Sequence, residues 1–270
     1  AIYFTQHASN AGMVIDNNNI QNCAATAIGF YGGYNTPASI DGNDLTGSTH
    51  GMYLQSIHSS PLTLSPPGSS GPNSNTFANH TESVITLSGS RYITIDGWDF
   101  TTMFDSSVDR STKTGLNILN SSNCTISNNN LSGFNHAIKG GGNPNTSFTG
   151  NNLSNSSSHA IYFTQHASNA GMVIDNNNIQ NCAATAIGFY GGYNTPASID
   201  GNDLTGSTHG MYLQSIHSSP LTLSPPGSSG PNSNTFANHT ESVITLSGSR
   251  YITIDGWDFT TMFDSSVDRS

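Results

Sequence analysis

Short stretches of alternating apolar and polar residues recur along the chain, and each leads into a Gly or an Asn. In one of them, Cys124 and Ile126 alternate with polar residues before Asn128, and Leu131 follows. Such alternation predicts a β-strand with one buried face, because successive side chains of a strand point to opposite sides. Six such stretches lie within the first 159 residues: 13–20, 38–45, 62–77, 93–100, 124–131 and 146–153.

In five of these stretches a Gly or Asn stands two residues after the last apolar residue of the strand. These positions are Asn17, Gly42, Gly97, Asn128 and Gly150. Gly and Asn tolerate the left-handed backbone conformation best, so we expect the chain to turn a corner there and then re-enter a strand. The next position is Asn18, Asn43, Trp98, Asn129 or Asn151. Stacked asparagines predict a ladder of side-chain amides bonded from turn to turn.

A second set of apolar segments opens each coil and aligns into two columns. The first column is Ile2, Ile28, Met52, Ile85, Leu116 and Ile138, and the second is Phe4, Phe30, Leu54, Leu87, Ile118 and Gly140. Stacking like residues in a parallel array would bury a continuous core from short apolar segments. The two sets together predict six coils of about 22 to 34 residues each.

A much longer repeat contains these coils, since residues 1–111 recur unchanged as residues 160–270. We expect residues 1–159 to form one full repeat unit and residues 160–270 a partial second copy, joined in one continuous solenoid without a linker. Neither end shows an initiator Met, a signal peptide or a polar capping unit. We therefore expect the chain to be a window of a longer repetitive protein.

The segment Ile126-Ser127-Asn128-Asn129-Asn130-Leu131 and its counterparts resemble the coils of the right-handed parallel β-helix family, the pectin-lyase-like superfamily. The resemblance covers essentially the whole chain and implies an all-β fold, a right-handed parallel β-helix with about six coils per unit. The tandem repeats resemble the bacterial surface or extracellular fibre type. The resemblance is specific for fold and not for function, because enzymes, adhesins and fibres share this scaffold.

Two kinds of enzyme in this family have catalytic residues that can be sought in the sequence. Resemblance to pectate lyases would imply a calcium-binding carboxylate cluster with an Arg or Lys base. Resemblance to polygalacturonases would imply several Asp residues, a His and an Arg-x-Lys. The outward face of the opening strands has Lys139 as its only charge, and no Arg-x-Lys occurs. We therefore predict no catalytic residues.

Carboxylates at the corners are the candidates for a metal. Asp16 and Asp41 fall on neighbouring coils, and Asp96 and Asp99 flank Trp98. Calcium between coils would relieve the repulsion of such carboxylates. An Asp next to a turn also accepts backbone N–H bonds. We favour the turn role, and expect no metal and no cofactor, with calcium as the alternative.

Histidine and cysteine occupy columns of the same array. His50, His136 and His159 share the coil-start position with Thr and Ser, which indicates a polar stack more than a transition-metal site. Cys23 and Cys124 fall in different apolar columns, so we expect buried thiols and no disulfide between them.

Three insertions interrupt the even coil length, at residues 32–37, 59–72 and 104–113. Loops on a rigid scaffold often carry binding sites, although a loop can also be a tolerated insertion. The residues we propose for contact between fibres, or with a carbohydrate surface, are Tyr34, Pro66, Pro67, Asp105, Asp109 and Arg110.

Composition narrows the class of protein. Only 8% of the residues are charged, and the net charge of −10 argues against a basic patch for nucleic acid or anionic membrane. No apolar run is long enough to span a bilayer. We expect a structural filament or stalk outside the cell or on its surface, with further copies of its own repeat as partners. A carbohydrate-active lyase or hydrolase is the alternative, and an engineered tandem array is the third reading.

Overall fold

Ten parallel strands form one long sheet in the computed structural model, which describes residues 1–5, 10–58, 61–103, 109–164, 168–217, 221–225, 227, 230 and 232–259. Each strand pairs with the equivalent strand of the next coil, which is the arrangement of a parallel β-helix. The strands are Ile2–Phe4, Thr26–Phe30, His50–Gln55, Ser83–Ser88, Thr114–Leu119, His136–Gly141, Ile161–Phe163, Thr185–Phe189, His209–Gln214 and Ser242–Ser247.

The two predicted apolar columns of this sheet are confirmed by its pairing. The first column runs through Ile2, Ile28, Met52, Ile85, Leu116, Ile138 and Ile161. The second runs through Phe4, Phe30, Leu54, Leu87, Ile118, Gly140 and Phe163. Each buried Ile or Leu contributes about 1.5–3 kcal/mol on leaving water, so the columns form a continuous hydrophobic core.

A second sheet closes the opposite wall of the core. Its six parallel strands are Leu62–Leu64, Ile93–Asp96, Thr125–Ser127, Ser147–Thr149, Val173–Asp175 and Ser198–Asp200. Shorter pairs join Val14–Asp16 to Ser39–Asp41, Leu221–Leu223 to Ile252–Ile254, and Asn10–Ala11 to Asn35–Thr36. Two 3-10 helices, Phe100–Met103 and Arg110–Thr112, complete the regular elements of the described residues.

The backbone explains the one glycine in these columns. A Cβ atom at Gly140 would clash with the carbonyl oxygen of Ile118 on the preceding coil, so Gly stands in a column that otherwise holds Phe, Leu and Ile. The same coil carries Phe148 in the second sheet, where the next coil has Ile174. The Phe148 ring lies 5.7 Å from the ring of Phe163, so the two rings pack together in the core.

The corners after the second sheet have the left-handed backbone. The φ angles are 56° at Asn17, 64° at Gly42, 73° at Gly97, 53° at Asn128 and 66° at Gly150. Each of these residues is therefore Gly or Asn because other side chains meet a steric penalty in this conformation.

Buried asparagine amides connect the coils beside these corners. Asn129 Nδ2 donates to Asn151 Oδ1 at 3.0 Å, and Asn151 Nδ2 donates to Asn177 Oδ1 at 3.0 Å. The series continues through Asn202 to Asn234, at 2.9 and 2.8 Å. In the first coils, Asn18 donates to Asn43 and Asn43 to Asn75, both at 2.9 Å.

Trp98 interrupts this ladder. Its indole Nε1 donates to the carbonyl oxygen of Leu64 at 2.9 Å, as Asn129 Nδ2 donates to the carbonyl oxygen of Ile95 at 3.0 Å. The indole has no acceptor atom, so it cannot receive the amide of the preceding coil. The ring stacks 5.4 Å from Phe100. Trp98 thus keeps the bond to the preceding carbonyl, and its backbone N–H still donates to Asn129 Oδ1 at 3.0 Å, but aromatic packing replaces the bonds between side-chain amides.

The prediction that a strand follows each corner is wrong. The structure gives single parallel bridges there, at Asn19, Asp44, Thr76, Asp99, Asn130 and Asn152. A second left-handed corner follows five residues after the first, for example at Asn22 after Asn17 and at Asn155 after Gly150. The segment between two corners is too short to form a strand. In the fourth coil, Phe100 instead begins a 3-10 helix.

A second ladder, which the sequence did not indicate, lies after the long sheet. Ser90 Oγ accepts from the backbone N–H of Ile57 at 3.1 Å, and Ser121 Oγ accepts from that of Ser90 at 3.2 Å. Asn143 Oδ1 then accepts from the backbone N–H of Ser121 at 3.0 Å. Because both Ser and Asn fill this role, residue type alone does not reveal the column.

The proline-rich loop leaves the second sheet after Leu64 and returns at Asn73. Asn73 has a φ of 56°. Its Oδ1 accepts from the backbone N–H of Ile40 at 2.8 Å, and its Nδ2 donates to the carbonyl oxygen of Thr63 at 2.7 Å. One amide side chain therefore bridges the two coils where the sheet itself is interrupted.

Replacing Asn177 by Ala should lower the free energy of unfolding by about 2–4 kcal/mol, because it leaves buried groups of Asn151 and Phe148 without partners. Urea unfolding followed by circular dichroism measures this. Asn178→Ala is the matched control, since the Asn178 side chain is exposed and makes one bond of 3.4 Å. Equal effects of the two substitutions would contradict a stabilising ladder.

Candidate functional site

The four carboxylates considered for calcium all act as hydrogen-bond acceptors at the corners. They are Asp16, Asp41, Asp96 and Asp99, with partners in Ser39, Ser74, Ser127 and Thr101 among others. Asp16 Oδ1 accepts from the backbone N–H of Asp41 at 2.9 Å. Asp96 Oδ1 accepts from Ser127 Oγ at 2.6 Å and from Asn128 Nδ2 at 2.9 Å. Asp99 accepts within its own turn, and the bonds of the other three carboxylates link neighbouring coils.

The geometry offers little for a metal ion. Asp16 and Asp41 are direct neighbours on adjacent coils. Within the ranges that the structure describes, no three His, Cys, Asp or Glu residues come together as a metal site. Calcium takes six to eight oxygen ligands, so this pair would need most of its ligands from backbone oxygens and water.

The residues of the predicted contact loops differ in their exposure and in their hydrogen bonding. Pro67 is exposed, and the Pro66 carbonyl accepts from Ser74 Oγ at 2.7 Å. Asp109 caps a 3-10 helix, and its hydrogen bonds from Ser111 lower the pKa of the carboxyl. Arg110 donates to the carbonyl oxygen of Thr101 at 2.9 Å and lies 5.9 Å above the ring of Phe134, so it holds its own loop in place. Asp105 lies outside the described residues.

Tyr34 stands at a corner with His58, Arg91 and Tyr92, and we call this group the tyrosine cleft after the cavity that the equivalent residues line in the second copy. Three consecutive coils supply these residues, all at the corner that follows the long sheet. The backbone N–H of His58 donates to the carbonyl oxygen of Asn35 at 3.0 Å, and that of Arg91 donates to the carbonyl oxygen of Ile57 at 2.8 Å. The Tyr34 ring is 69% exposed and lies 5.1 Å from the imidazole of His58. Burial, and then Arg91, lower the pKa of His58.

The second copy repeats this cleft. Tyr193, His217, Arg250 and Tyr251 line a cavity of about 450 Å³. The ring of Tyr193 is 69% exposed and lies 5.5 Å from that of His217, and Tyr251 is 66% exposed. The first copy has the same four residue types at the same corners, where the backbone N–H of Tyr92 also donates to the carbonyl oxygen of Ser122 on the next coil at 3.3 Å.

Tyr92 holds an unusual backbone. Its φ is 59°, as is that of Tyr251. The same corner position in other coils is left-handed at Gly12, Asn123, Asn145 and Gly171. A bulky residue with this φ is rare and costs about 1–3 kcal/mol. Tyr92 is also 46% exposed, so core packing does not account for it.

A polar cleft of about 250 Å³ lies on the outward face of the long sheet, lined by His50, Glu82, Ser83 and Lys139 among others. His50 Nε2 lies 3.2 Å from Glu82 Oε2, and its Nδ1 lies 2.9 Å from Ser83 Oγ. A carboxylate, an imidazole and a hydroxyl in a row are the components of general base catalysis. Ser83 is buried and also bonds to Thr86 Oγ1 at 2.9 Å, which fits a polar stack equally well.

Histidines at the junction of the two copies pack against tyrosines. The rings of His136 and His159 are 5.5 Å apart, and that of His136 stacks 4.8 Å from Tyr162. His159 Nε2 lies 3.0 Å from Tyr190 Oη. Burial lowers the pKa of His159 to about 4, and the neighbouring His136 contributes. These contacts are aromatic and polar stacking between adjacent coils.

The cysteines are buried or partly buried free thiols. Burial raises the pKa of the Cys124 thiol to about 11, which suppresses the reactive thiolate.

Sequence reasoning found Tyr34 but missed its partners. No pattern in the sequence connects His58, Arg91 or Tyr92 with it. These residues are 24 and 33 positions apart, so only the coil register brings them together. The one signal was a Tyr at a corner position that three other coils of the unit fill with Gly or Asn, at Gly12, Asn123 and Asn145.

A family model for the right-handed β-helix region matches residues 68–218, which is more than half of the chain and crosses the junction of the two copies. Comparisons with curated proteins and with solved structures gave no match. No helix in the described ranges is long and apolar enough to cross a membrane.

Acid should destabilise the protein through His80 and its copy His239. Burial lowers the pKa of His80 to about 4, and burial also lowers that of His239. These histidines bind protons near pH 6.5 in the unfolded chain but not in the folded chain. Their contribution to the free energy of unfolding is therefore fully present above pH 6.5 and is lost as the pH falls toward 4. Urea midpoints at intervals between pH 8 and pH 4 measure this.

Changing both residues to Gln should reduce this pH dependence, with His136 and His159 accounting for part of the remainder. A midpoint that is constant, or that rises, as the pH falls from 6.5 to 4 would contradict the assignment.

Proposed function

Because the chain belongs to the right-handed β-helix family, we propose that it is a segment of an extracellular filament or stalk built from tandem β-helix units. The support is the junction between the two copies. Ile138 pairs with Ile161 across it, in the register found at the other coil interfaces of the sheet. The buried ladder also crosses it, from Asn151 to Asn177. A further copy could stack on the second copy with the same register and the same asparagine ladder.

Identical units suit a filament better than an enzyme. A catalyst needs one site and gains nothing from a verbatim copy of 111 residues, whereas a filament gains length. Solenoid stability grows with each stacked unit, because every coil contacts its neighbours alone. The proposed partners are therefore further copies of the repeat, end to end and, through the loops, side by side.

An extracellular location agrees with the composition. The chain has six Lys and Arg residues among 270, so an exposed shaft would offer few sites to proteases that cleave after basic residues. Its surface is rich in Asn, Ser and Thr, and the outward loops would meet other fibres or carbohydrate. A calcium ion between the Asp16 and Asp41 corners would be an accessory to such a shaft.

Electron microscopy of the native material should show a fibre with an axial repeat near 29 Å, or a simple multiple of it. Six strand spacings of about 4.8 Å give this value. Chains with two, three and four complete units should lengthen by the same increment. Particles whose length does not grow with unit number would contradict the proposal.

A carbohydrate-active lyase or hydrolase is the second candidate, and the row of Glu82, His50 and Ser83 favours it. Under the filament proposal, we expect no cleavage when a panel of polysaccharides is incubated with the chain, with and without calcium, and assayed for reducing ends and unsaturated products. Cleavage that is lost on changing Asp96 or Asp99 to Asn, or both His50 and His209 to Gln, would overturn that proposal.

A further inference from the structure

The tyrosine cleft combines two kinds of recognition surface. Tyr34 and Tyr92 present large, exposed rings whose faces are apolar and whose hydroxyls are polar. Such rings pack against the C–H face of a sugar while their edges bond to its hydroxyls. The backbone hydrogen bonds between coils fix the corners that carry them, so little flexibility is lost when a ligand binds.

Arg91 supplies a cation that forms no ion pair within the described residues. The two ion pairs in the described part of the chain join His50 to Glu82 and His209 to Glu241. Arg91 and Arg250 thus have no carboxylate partner among those residues. A guanidinium binds a planar carboxylate through two parallel hydrogen bonds, so an anionic group on a ligand complements it.

The backbone at Tyr92 indicates that the ring is retained for a surface role. Asn or Gly at this corner would adopt the left-handed conformation more readily, as the other coils show. The tyrosine is nevertheless present in both copies, exposed and beside the arginine. Strained residues of this kind concentrate at ligand-binding sites. The strained backbone is retained there because it positions a side chain that contacts the ligand.

We propose that the tyrosine cleft binds a short saccharide that carries a carboxylate, once per 159-residue unit. Arg91 binds the carboxylate, Tyr34 and Tyr92 hold the sugar rings, and His58 donates or accepts one hydrogen bond. The cleft spans two coil spacings, about 10 Å, which limits the ligand to a few sugar residues. The inference deepens the adhesive part of the proposed function, and filament formation does not depend on it.

Binding by the 270-residue chain can be tested with a hyaluronan tetrasaccharide, which carries carboxylates, and with neutral chitotetraose. Saturation-transfer NMR and titration should show binding of the first, at least about tenfold tighter than of the second. Changing both Arg91 and Arg250 to Gln should weaken binding about tenfold or more. Changing both Tyr34 and Tyr193 to Ala should abolish it.

The substitution of both Tyr92 and Tyr251 by Asn separates binding from folding. It should raise the thermal midpoint, because the strained backbone is relieved, and at the same time weaken binding. Lys113→Gln is the charge control, since Lys113 lines neither the tyrosine cleft nor the polar cleft, and it should bind as the unchanged chain does.

Three results would overturn the proposal: no binding of the carboxylated tetrasaccharide at about 10 mM, equal affinity for the neutral one, or binding unaffected by the arginine and tyrosine changes. Any of these would leave the axial repeat of the fibre as a separate question, because the assay uses soluble chain. A fibre without saccharide binding, and saccharide binding without a fibre, are therefore distinguishable.

Discussion

Hydrogen bonds between successive corners are the constraint on which this structure depends. The apolar core drives collapse, but its contacts are non-directional and would tolerate small displacements of one coil over another. The buried amides allow only one alignment. Asn151, for example, donates to Asn177 and accepts from Asn129, so a shift of either neighbour would leave polar groups unpaired in the core. The ladders thus convert a generic hydrophobic column into a defined register.

The same constraint explains where the coils vary. The proline-rich loop departs after Leu64 and returns at Asn73, whose side chain restores the link between coils. Trp98 replaces a ladder amide and keeps one of its bonds. Insertions and substitutions are accepted at corners where a side chain can still satisfy the neighbouring backbone. The residues proposed to bind a saccharide also lie at corners, where backbone hydrogen bonds between coils hold the chain in place.

Most of the apolar columns and corners of the β-helix can be predicted from the sequence, but little of its surface can. The columns at Ile2 and Phe4 could be predicted because alternating apolar residues repeat at nearly constant spacing. The corners at Asn17 and Gly42 could be predicted because few residue types adopt that backbone. The bridges after the corners appeared as strands, since an apolar residue such as Ile20 looks the same in either setting.

The clefts depend on distances that the sequence does not contain. His58 and Arg91 meet Tyr34 because loops of different length return the chain to one register. The row of His50, Glu82 and Ser83 also joins neighbouring coils. The left-handed backbone of Tyr92 is invisible in residue type, because Tyr ordinarily avoids it.

Identity of the copies has a consequence for how such a protein changes over generations. Since the junction of two copies keeps the register and the ladder of the interior, unequal recombination between repeats can delete or duplicate a unit without creating a misfit. Shaft length can then vary among descendants while every rung stays compatible with the next. Homogenisation of the copies would preserve that freedom, because a divergent unit would have to match its neighbours on both sides.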